Sequence, residues 1–461
     1  MLGDKSVQVT ETYAPDGIPQ TGEKAGTVED REAMRRLGKQ QLFKRNFGFL
    51  SIFGFALILM ATWQSLLGTI ALALGNGGPS GLLYTYIVAY IGFTLTIASM
   101  AEMASMAPTS GGQYHWVSEF APRHLQKLFS YFIGWLSVLG YQGVILVLHF
   151  AGWLAIVVPL WVLGPRTPHA GVWNTFVDAG WGNTGLACMV GFITSAGAFA
   201  GGDAAAHMAE ELKNAPKILP RAMLCTVVGN GIMGFITLVT FLYTMGDVDA
   251  ALASPTKFPI IEVFRNATNS NGGATDLTSI LVVLGIAGSL TNVAGASRQM
   301  FAFARDKGLP AHRWVSRVPP RFDVPVNAVL VSSVIACILH CINIGSAIAF
   351  NIILSIGSVA LLTSYMVSVG CVTWRRLKGL PLLETRFSLG KAGLPVNLAA
   401  LAFLAVVYVF SFFPPIPNPP PEAMNWAIVV YGGVLIFAGI YYLIVARHHY
   451  DGPVEYTRKS A

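Results

Sequence analysis

The sequence predicts an all-α integral membrane protein with ten transmembrane helices. Of its 461 residues, 54% are hydrophobic and only 11% are charged, whereas an average soluble domain carries about 25% charged residues. So few charges cannot cover the surface of a water-soluble chain of this size. A soluble enzyme, a secreted disulfide scaffold and a nucleic-acid binder are therefore excluded, and the lipid bilayer is the expected partner of the apolar surface.

The transmembrane helices are predicted from stretches without Asp, Glu, Lys or Arg, because a spanning helix needs about 20 apolar residues. There are eight such stretches: residues 47–101, 128–165, 179–202, 222–246, 277–297, 324–374, 392–421 and 423–446. The first and sixth are long enough for two helices each, and turn residues divide them at 75–79 and 343–345. Counting residues 128–165 as one span gives ten helices, and counting them as two gives eleven.

Positive charge in the loops separates these two topologies, since cytoplasmic loops are enriched in Lys and Arg. With ten spans and a cytoplasmic N-terminus, 27 of the 30 Lys and Arg residues lie inside and 3 lie outside. With eleven spans the same count gives 13 inside and 17 outside. Ten spans are therefore favoured, with both termini cytoplasmic. The loop 247–276 then faces the opposite side, and it contains a candidate glycosylation sequon at Asn266.

Both ends of the chain are polar. Residues 1–46 contain no apolar stretch of the kind found in signal peptides, so we expect a disordered cytoplasmic tail. Residues 47–446 would form the transmembrane domain, and residues 447–461 a cytoplasmic C-terminal tail. The five cysteines lie inside apolar stretches without the spacing of metal ligands, which indicates free thiols. We expect no metal, no cofactor and no catalytic constellation, and hence no enzyme.

Polar or small residues interrupt three of the apolar stretches, at residues 61–65, 199–203 and 289–292. Small residues let transmembrane helices pack closely, which accounts for the scattered Gly and Ser. Asp203 is different, because an intramembrane carboxylate is costly and commonly marks a substrate or proton pathway. A position near the cytoplasmic interface is the alternative explanation. His149 also lies in a predicted span, where a hydrogen-bonded structural role is favoured over a proton relay.

Several short motifs resemble a known transporter family. They occur in the family's order and cover about residues 40–450: Thr62-Trp63, the segment EMASMAPTSGGQY at 102–114, HMAEELKNA at 207–215, Ser297-Arg298, ARDKGLP at 304–310 and VPVNA at 324–328. Together they are similar to the amino acid–polyamine–organocation (APC) superfamily. The resemblance is closer to its fungal branch of permeases for amino acids, 4-aminobutyrate (GABA) and choline.

This resemblance implies an inverted-repeat (LeuT-like) transporter bundle, in which the first and sixth helices are broken at mid-membrane around the substrate. Exposed backbone amides at such a break can hold a carboxylate, and exposed carbonyls can hold an ammonium. Trp63 and Phe199 would be aromatic gates or cation-π partners, and Asp203 would couple substrate to proton. The substrate-binding residues that the resemblance implies are Ala61, Thr62, Trp63, Gln64, Ser65, Gln142, Phe199, Ala200, Gly201, Gly202 and Asn292.

The resemblance further implies a secondary active transporter. It would move a small amino acid such as GABA, or a related amine, by alternating access with a proton, most simply at the plasma membrane. A vacuolar or other endomembrane location is an alternative. Gln64 stands where the fungal branch often has an acidic residue, which weakens the expectation of a cationic substrate. A choline or polyamine permease and a non-transporting, truncated or sensor-like homologue remain the alternative functions.

The largest departure from the family lies in residues 128–165, where the family has its third, fourth and fifth helices. Residues 129–142 resemble the start of the third helix and pass directly into a segment that resembles the end of the fifth. Roughly 60 residues, including the fourth helix, are absent by comparison with the family, which leaves ten helices instead of twelve. We expect one long tilted helix from about Phe129, bent near Gly140 or Gly143 and ended early by Pro159 and Pro165.

Overall fold

The computed structural model describes residues 27–37, 41, 43, 45, 47–138, 146–256, 258–319, 324–345, 347–421, 424–450 and 452. Within these residues the secondary structure is helical, and the β-bridge found there joins Phe47 to Leu212. The predicted all-α membrane class is confirmed.

The helices of the first half are α1 (Val28–Arg36), α2 (Phe49–Met60), α3 (Thr62–Gly75), α4 (Gly78–Met106), α5 (Gln113–Phe120), α6 (Gln126–Val138), α7 (Leu146–Leu163), α8 (His169–Trp173), α9 (Thr184–Gly197) and α10 (Ala204–His207). Those of the second half are α11 (Ala215–Thr244), α12 (Val248–Leu252), α13 (Pro259–Thr268), α14 (Asn271–Arg305), α15 (His312–Val315), α16 (Val326–Gly345), α17 (Ala347–Leu377), α18 (Gly393–Phe410), α19 (Ala427–Tyr441) and α20 (Arg447–His449). Two 3₁₀ turns and one π-helical turn complete them: Ala209–Glu211, Gly390–Ala392 and Tyr442–Ala446.

Seven helical stretches of the described chain are long and apolar enough to cross a membrane. They are Phe49–Gly75, Gly78–Met106, Ala215–Thr244, Asn271–Arg305, Ile356–Leu377, Gly390–Phe410 and Ala427–His449. Three shorter apolar helices accompany them, at His149–Leu163, Thr184–Gly197 and Val326–Ile338. The number of ten spans stays a prediction.

The first of the two long apolar stretches divides where the turn residues predicted. Gly77 separates α3 from α4 with a left-handed φ of +97°, and a Cβ built there would lie 3.1 Å from the Cα of Cys188. Glycine is required at this position for both reasons. In the second stretch, residues 343–345 are helical and residue 346 between α16 and α17 lies outside the described residues, so a division there stays a prediction.

The region of the expected fused helix contains α6 and α7. Residues 139–145, with Gln142, Gly140 and Gly143, lie outside the described residues. The prediction that Pro159 ends the helix is wrong, because α7 continues to Leu163. Two tryptophans of α7 flank the proline and donate to α11, Trp153 Nε1 to Thr237 Oγ1 at 2.8 Å and Trp161 Nε1 to Thr240 Oγ1 at 2.7 Å. These two bonds attach α7 to α11 on either side of the proline.

The third set of polar residues, at 289–292, does not break its helix. Helix α14 runs through it without a break. The Ser289 hydroxyl donates to the Gly285 carbonyl of its own helix at 3.1 Å, so this polar side chain is satisfied without opening the backbone. Asn292 is half-buried within the same regular helix.

The N-terminal segment differs from the predicted disordered tail where it is described. Thr27 and Asp30 form a capping box that starts α1. The Asp30 carboxylate also accepts the backbone amides of Asn214 (2.9 Å) and Ala215 (3.0 Å) at the start of α11. Asp30 therefore caps a helix that is distant in the sequence, since its carboxylate satisfies amides that the helix itself cannot. The polar composition of the segment gave no sign of this contact.

Phe43 and Arg45 extend this contact along the same end of the bundle. The Arg45 guanidinium, itself buried, lies 3.3 Å from Asp30 and donates to the Leu212 carbonyl at 2.5 Å. Phe43 is fully buried and packs edge-on against Phe301 of α14, with ring centroids 5.0 Å apart. The described residues of the N-terminal segment therefore pack as part of the bundle.

Candidate functional site

The first helix is broken at a single residue. Ala61 separates α2 from α3 with φ 42° and ψ 39°, the left-handed region that costs a residue with a Cβ about 1–2 kcal/mol. Its amide still donates to the Leu57 carbonyl at 3.1 Å, and its carbonyl accepts from the Ser65 amide at 2.9 Å. The break predicted within residues 61–65 is confirmed, and it is a sharp redirection of the backbone.

This break leaves polar backbone groups at the junction. The first amides of α3 and the last carbonyls of α2 have no partners within their own helices, and Ala61 offers no side-chain cap. The Thr62 Oγ1 and Gln64 Oε1 atoms of the first turn of α3 are also buried, and neither has a hydrogen-bond partner among the described residues. Buried polar atoms are normally satisfied, so this turn has the capacity to bind a polar group.

The second break lies between α9 and α10. Residues 198–203 form turns, and Gly201 adopts a left-handed φ of 88°. A Cβ built on Gly202 would lie 2.7 Å from Ile97 Cδ1 and 3.8 Å from Met60 Sδ, so a larger residue there would require the Ile97 side chain to shift. Because Met60 is the last residue of α2, the two breaks lie beside each other.

The predicted aromatic residues are fully buried in this structure. Trp63 Nε1 donates to His149 Nε2 at 3.1 Å, which gives His149 the structural bond favoured from the sequence. The Phe199 ring stacks on Tyr90 and Phe93, with centroids 5.7 and 5.9 Å away. Both rings therefore pack the walls around the breaks, and their role as gates stays a prediction.

Asp203 lies at the end of the second break and is completely buried. Gln113 Nε2 and the Tyr365 hydroxyl donate to its carboxylate, and His207 Nε2 lies 3.4 Å from Oδ2. The Tyr365 hydroxyl in turn accepts the Gly201 amide at 3.2 Å. The carboxylate thus ties the second break to α5 and to α17, and charged hydrogen bonds of this kind are strong.

The sequence did not identify these partners. Gln113 and His207 lie inside quoted motifs, but their spacing does not reveal that they meet. Tyr365 is an aromatic residue in an apolar span, 162 positions after Asp203, and nothing in its local pattern distinguishes it.

Two ion pairs hold the segment that follows the second break. Glu210 accepts two hydrogen bonds from the Arg305 guanidinium, at 2.8 and 2.9 Å, and Glu211 accepts one from Arg298 at 2.9 Å. Glu210 also accepts the Ser110 amide at 3.3 Å. The acidic pair of the 207–215 motif therefore attaches the 3₁₀ turn Ala209–Glu211, which follows α10, to the end of α14.

The remaining predicted residues lie at or away from this junction. Ser65 and Ala200 are half-buried beside the two breaks, and Gln142 is outside the described residues. Asn266 is exposed, but it lies in helix α13 rather than in a loop. The hydroxyl of Thr268, the third residue of the sequon, donates to the Phe264 carbonyl at 2.8 Å.

Comparison with known sequences decides the family. The amino acid permease family model matches residues 47–155 and 141–434, most of the chain. The chain belongs to the amino acid permease family. The permease is 26% identical to Amino-acid permease 2 of Neurospora crassa over 99% of this chain and 96% of the relative. It is 24% identical to the choline transporter of Saccharomyces cerevisiae, over 91% and 84% respectively.

A manganese transporter of Eremococcus coleocola has a similar solved structure, with TM-score 0.49, 12% identity, and coverage of 90% of this permease and 96% of that chain.

The alignment with the Neurospora protein is longer than the permease itself. It has 530 positions against 461 residues, so at least 69 positions have no residue in this chain. The two parts of this chain that match the family model overlap at residues 141–155, inside the region of the expected deletion.

Proposed function

We propose that this permease moves a small amino acid such as 4-aminobutyrate, or a related amine, across a membrane by alternating access coupled to a proton. The observation that carries the proposal is the junction of the two helix breaks, where Met60 faces Gly202. The unsatisfied Thr62 Oγ1 and Gln64 Oε1 atoms lie in the turn that starts there. Broken helices that meet at mid-membrane are the binding element of transporters built from inverted repeats.

The charges of an amino acid match the two helix ends at Ala61. The first amides of α3 carry partial positive charge and suit the substrate carboxylate, whereas the last carbonyls of α2 suit the ammonium. Thr62 and Gln64 would supply further hydrogen bonds. Backbone groups would thereby bind both charges of the substrate without a charged side chain at the first break.

Choline is the second candidate substrate, since one relative is a choline transporter. A quaternary ammonium donates no hydrogen bond and is recognised by carboxylates or exposed aromatic faces. Gln64 is neutral, and Trp63 is buried against His149. These features favour an amino acid over choline.

Asp203 is the proposed coupling residue. Gln113 and Tyr365 both donate to its carboxylate, and this arrangement stabilises the charged form. Protonation would remove an acceptor that holds the second break against α5 and α17. We propose that protonation and deprotonation of Asp203 link proton movement to the change in access. The termini would be cytoplasmic and the protein would lie in the plasma membrane.

Competition for uptake tests the substrate class. Cells that lack endogenous permeases and express this chain should accumulate radiolabelled 4-aminobutyrate. Excess unlabelled amino acid should compete, and excess choline should not, because the first break lacks a carboxylate. Uptake of labelled choline that 4-aminobutyrate fails to reduce would overturn the assignment in favour of the choline alternative.

A non-transporting homologue is the second candidate function, and the missing positions in the Neurospora alignment favour it. A transporter without the family's fourth helix would expose to lipid faces that normally pack against protein. On this alternative the chain would transport weakly or not at all, and a family-like insert between Gln142 and Gly143 would restore activity.

A further inference from the structure

A cavity of about 410 Å³ lies apart from the helix breaks, where two membrane helices reach the same end of the bundle. One wall is the turn after α14, and the other is formed by the last turns of α19 and the π-helical turn that follows. The volume falls in the range of about 300–1,000 Å³ that is typical of ligand sites.

The first wall of this cavity is basic. Lys307, His312 and Arg313 line it, and His449 completes the rim from the other side. Burial lowers the pKa of the His312 imidazole, and the positive charges of Arg313, Lys307 and His449 lower it further. The positive charge of this wall therefore comes from Lys307 and Arg313, which line the cavity and give it a potential that attracts an anion.

The second wall is apolar and continues into the lipid-facing surface. Tyr441 and Val445 line the cavity, while Leu443 and Ile444 in the same turn are 59% and 68% exposed. Trp314, which is 51% exposed, stands at the mouth, and tryptophan is enriched at membrane interfaces. A ligand with an anionic head and an apolar tail fits both walls.

Both walls also carry unusual backbone conformations. Lys307 lies just after the end of α14 and has a left-handed φ of 64°. The Lys307 amide donates to the Ala304 carbonyl and the Gly308 amide donates to the Phe303 carbonyl, each over 2.9 Å. Glycine is the preferred residue at this position of the motif, so lysine is held there at a conformational cost. The opposite wall contains the π-helical turn Tyr442–Ala446, and such turns are frequent at functional sites.

We propose that this cavity binds the phosphate-bearing headgroup of an anionic membrane lipid, such as a phosphatidylinositol phosphate. Lys307 and Arg313 would contact the phosphate, and the acyl chains would lie along α19. Basic pockets between membrane helices bind such headgroups, and the loop charges predict that this end faces the cytoplasm, where anionic lipids are enriched.

The test uses the purified full-length chain in phosphatidylcholine nanodiscs with a minor fraction of phosphatidylinositol phosphate, and lipid binding is measured by native mass spectrometry. Lys307→Gly and Arg313→Gln should each weaken binding about fivefold. Glycine suits the left-handed conformation, so Lys307→Gly should fold at least as well as the wild type. Lys378→Gln is the matched control, because Lys378 is an exposed lysine outside the cavity, and binding should not change.

Three outcomes would overturn the proposal. Equal binding of phosphatidylcholine would show that the cavity does not recognise the negative charge of the headgroup. An equal loss of lipid binding in Lys378→Gln would show that the lipid is attracted by the positive charge of the whole surface and not by the cavity. Complete displacement of the lipid by soluble inositol phosphate or inorganic phosphate at equal concentration would identify a free phosphate as the ligand. Because none of these readouts involves transport, failure here would leave the proposed permease activity untouched.

Discussion

Replacing Glu210 with glutamine should lower the stability of the permease by about 3–5 kcal/mol. The substitution leaves the Arg305 guanidinium, which is largely buried, without its two charged hydrogen bonds, and an uncompensated buried charge is strongly destabilising. It also weakens the bond to the Ser110 amide. Thermal unfolding of the purified protein in detergent measures the effect.

The exposed pair between Glu262 and Arg265 provides the matched control. Its two side chains are 2.6 Å apart, but the arginine is 55% exposed. Glu262→Gln should therefore cost less than about 1 kcal/mol. The exchanged pair Glu210→Arg with Arg305→Glu should recover part of the loss. A Glu210→Gln protein as stable as Glu262→Gln would show that the buried pair does not hold the 3₁₀ turn Ala209–Glu211 to α14.

Replacing Asp203 with asparagine should abolish concentrative uptake and leave the protein folded in the membrane. Asparagine retains one oxygen to accept from Gln113 or Tyr365, and it removes the cost of a buried charge. It cannot carry a proton, so substrate exchange should continue while accumulation stops. Uptake with an imposed pH gradient and exchange without one separate these two effects.

Asp276→Asn is the control for this prediction, because Asp276 is an exposed aspartate near the start of α14. It should accumulate substrate like the wild type. If Asp203→Asn also accumulates substrate with the wild-type pH profile, the coupling role is refuted, and the carboxylate has only the structural role that its hydrogen bonds describe.

Local chemistry was sufficient to predict most helices and both breaks. Charge-free stretches specify membrane spans, and Gly77 and Gly201 stand where the backbone must turn left-handed. Ala61 was found through the polar residues that follow it. These features depend on a few neighbouring residues, so a single sequence contains them.

Features that depend on distant partners could not be predicted. Ser289 looked like an interruption because its hydroxyl is polar, yet its own helix satisfies it. Pro159 lies inside α7, which Trp153 and Trp161 attach to the distant helix α11 on either side of the proline. Asp203 was singled out as an intramembrane carboxylate, but its hydrogen bond to Tyr365 joins segments far apart in the chain and could not be predicted.

Uptake by the purified 461-residue chain in liposomes tests the central claim most directly. Radiolabelled 4-aminobutyrate is supplied outside, with an imposed pH gradient and the thermal stability of the protein measured in parallel. The account predicts accumulation above the external concentration that is lost when the gradient is collapsed. Absence of any uptake by folded protein, with activity recovered only after the insert between Gln142 and Gly143, would contradict it and establish the non-transporting alternative.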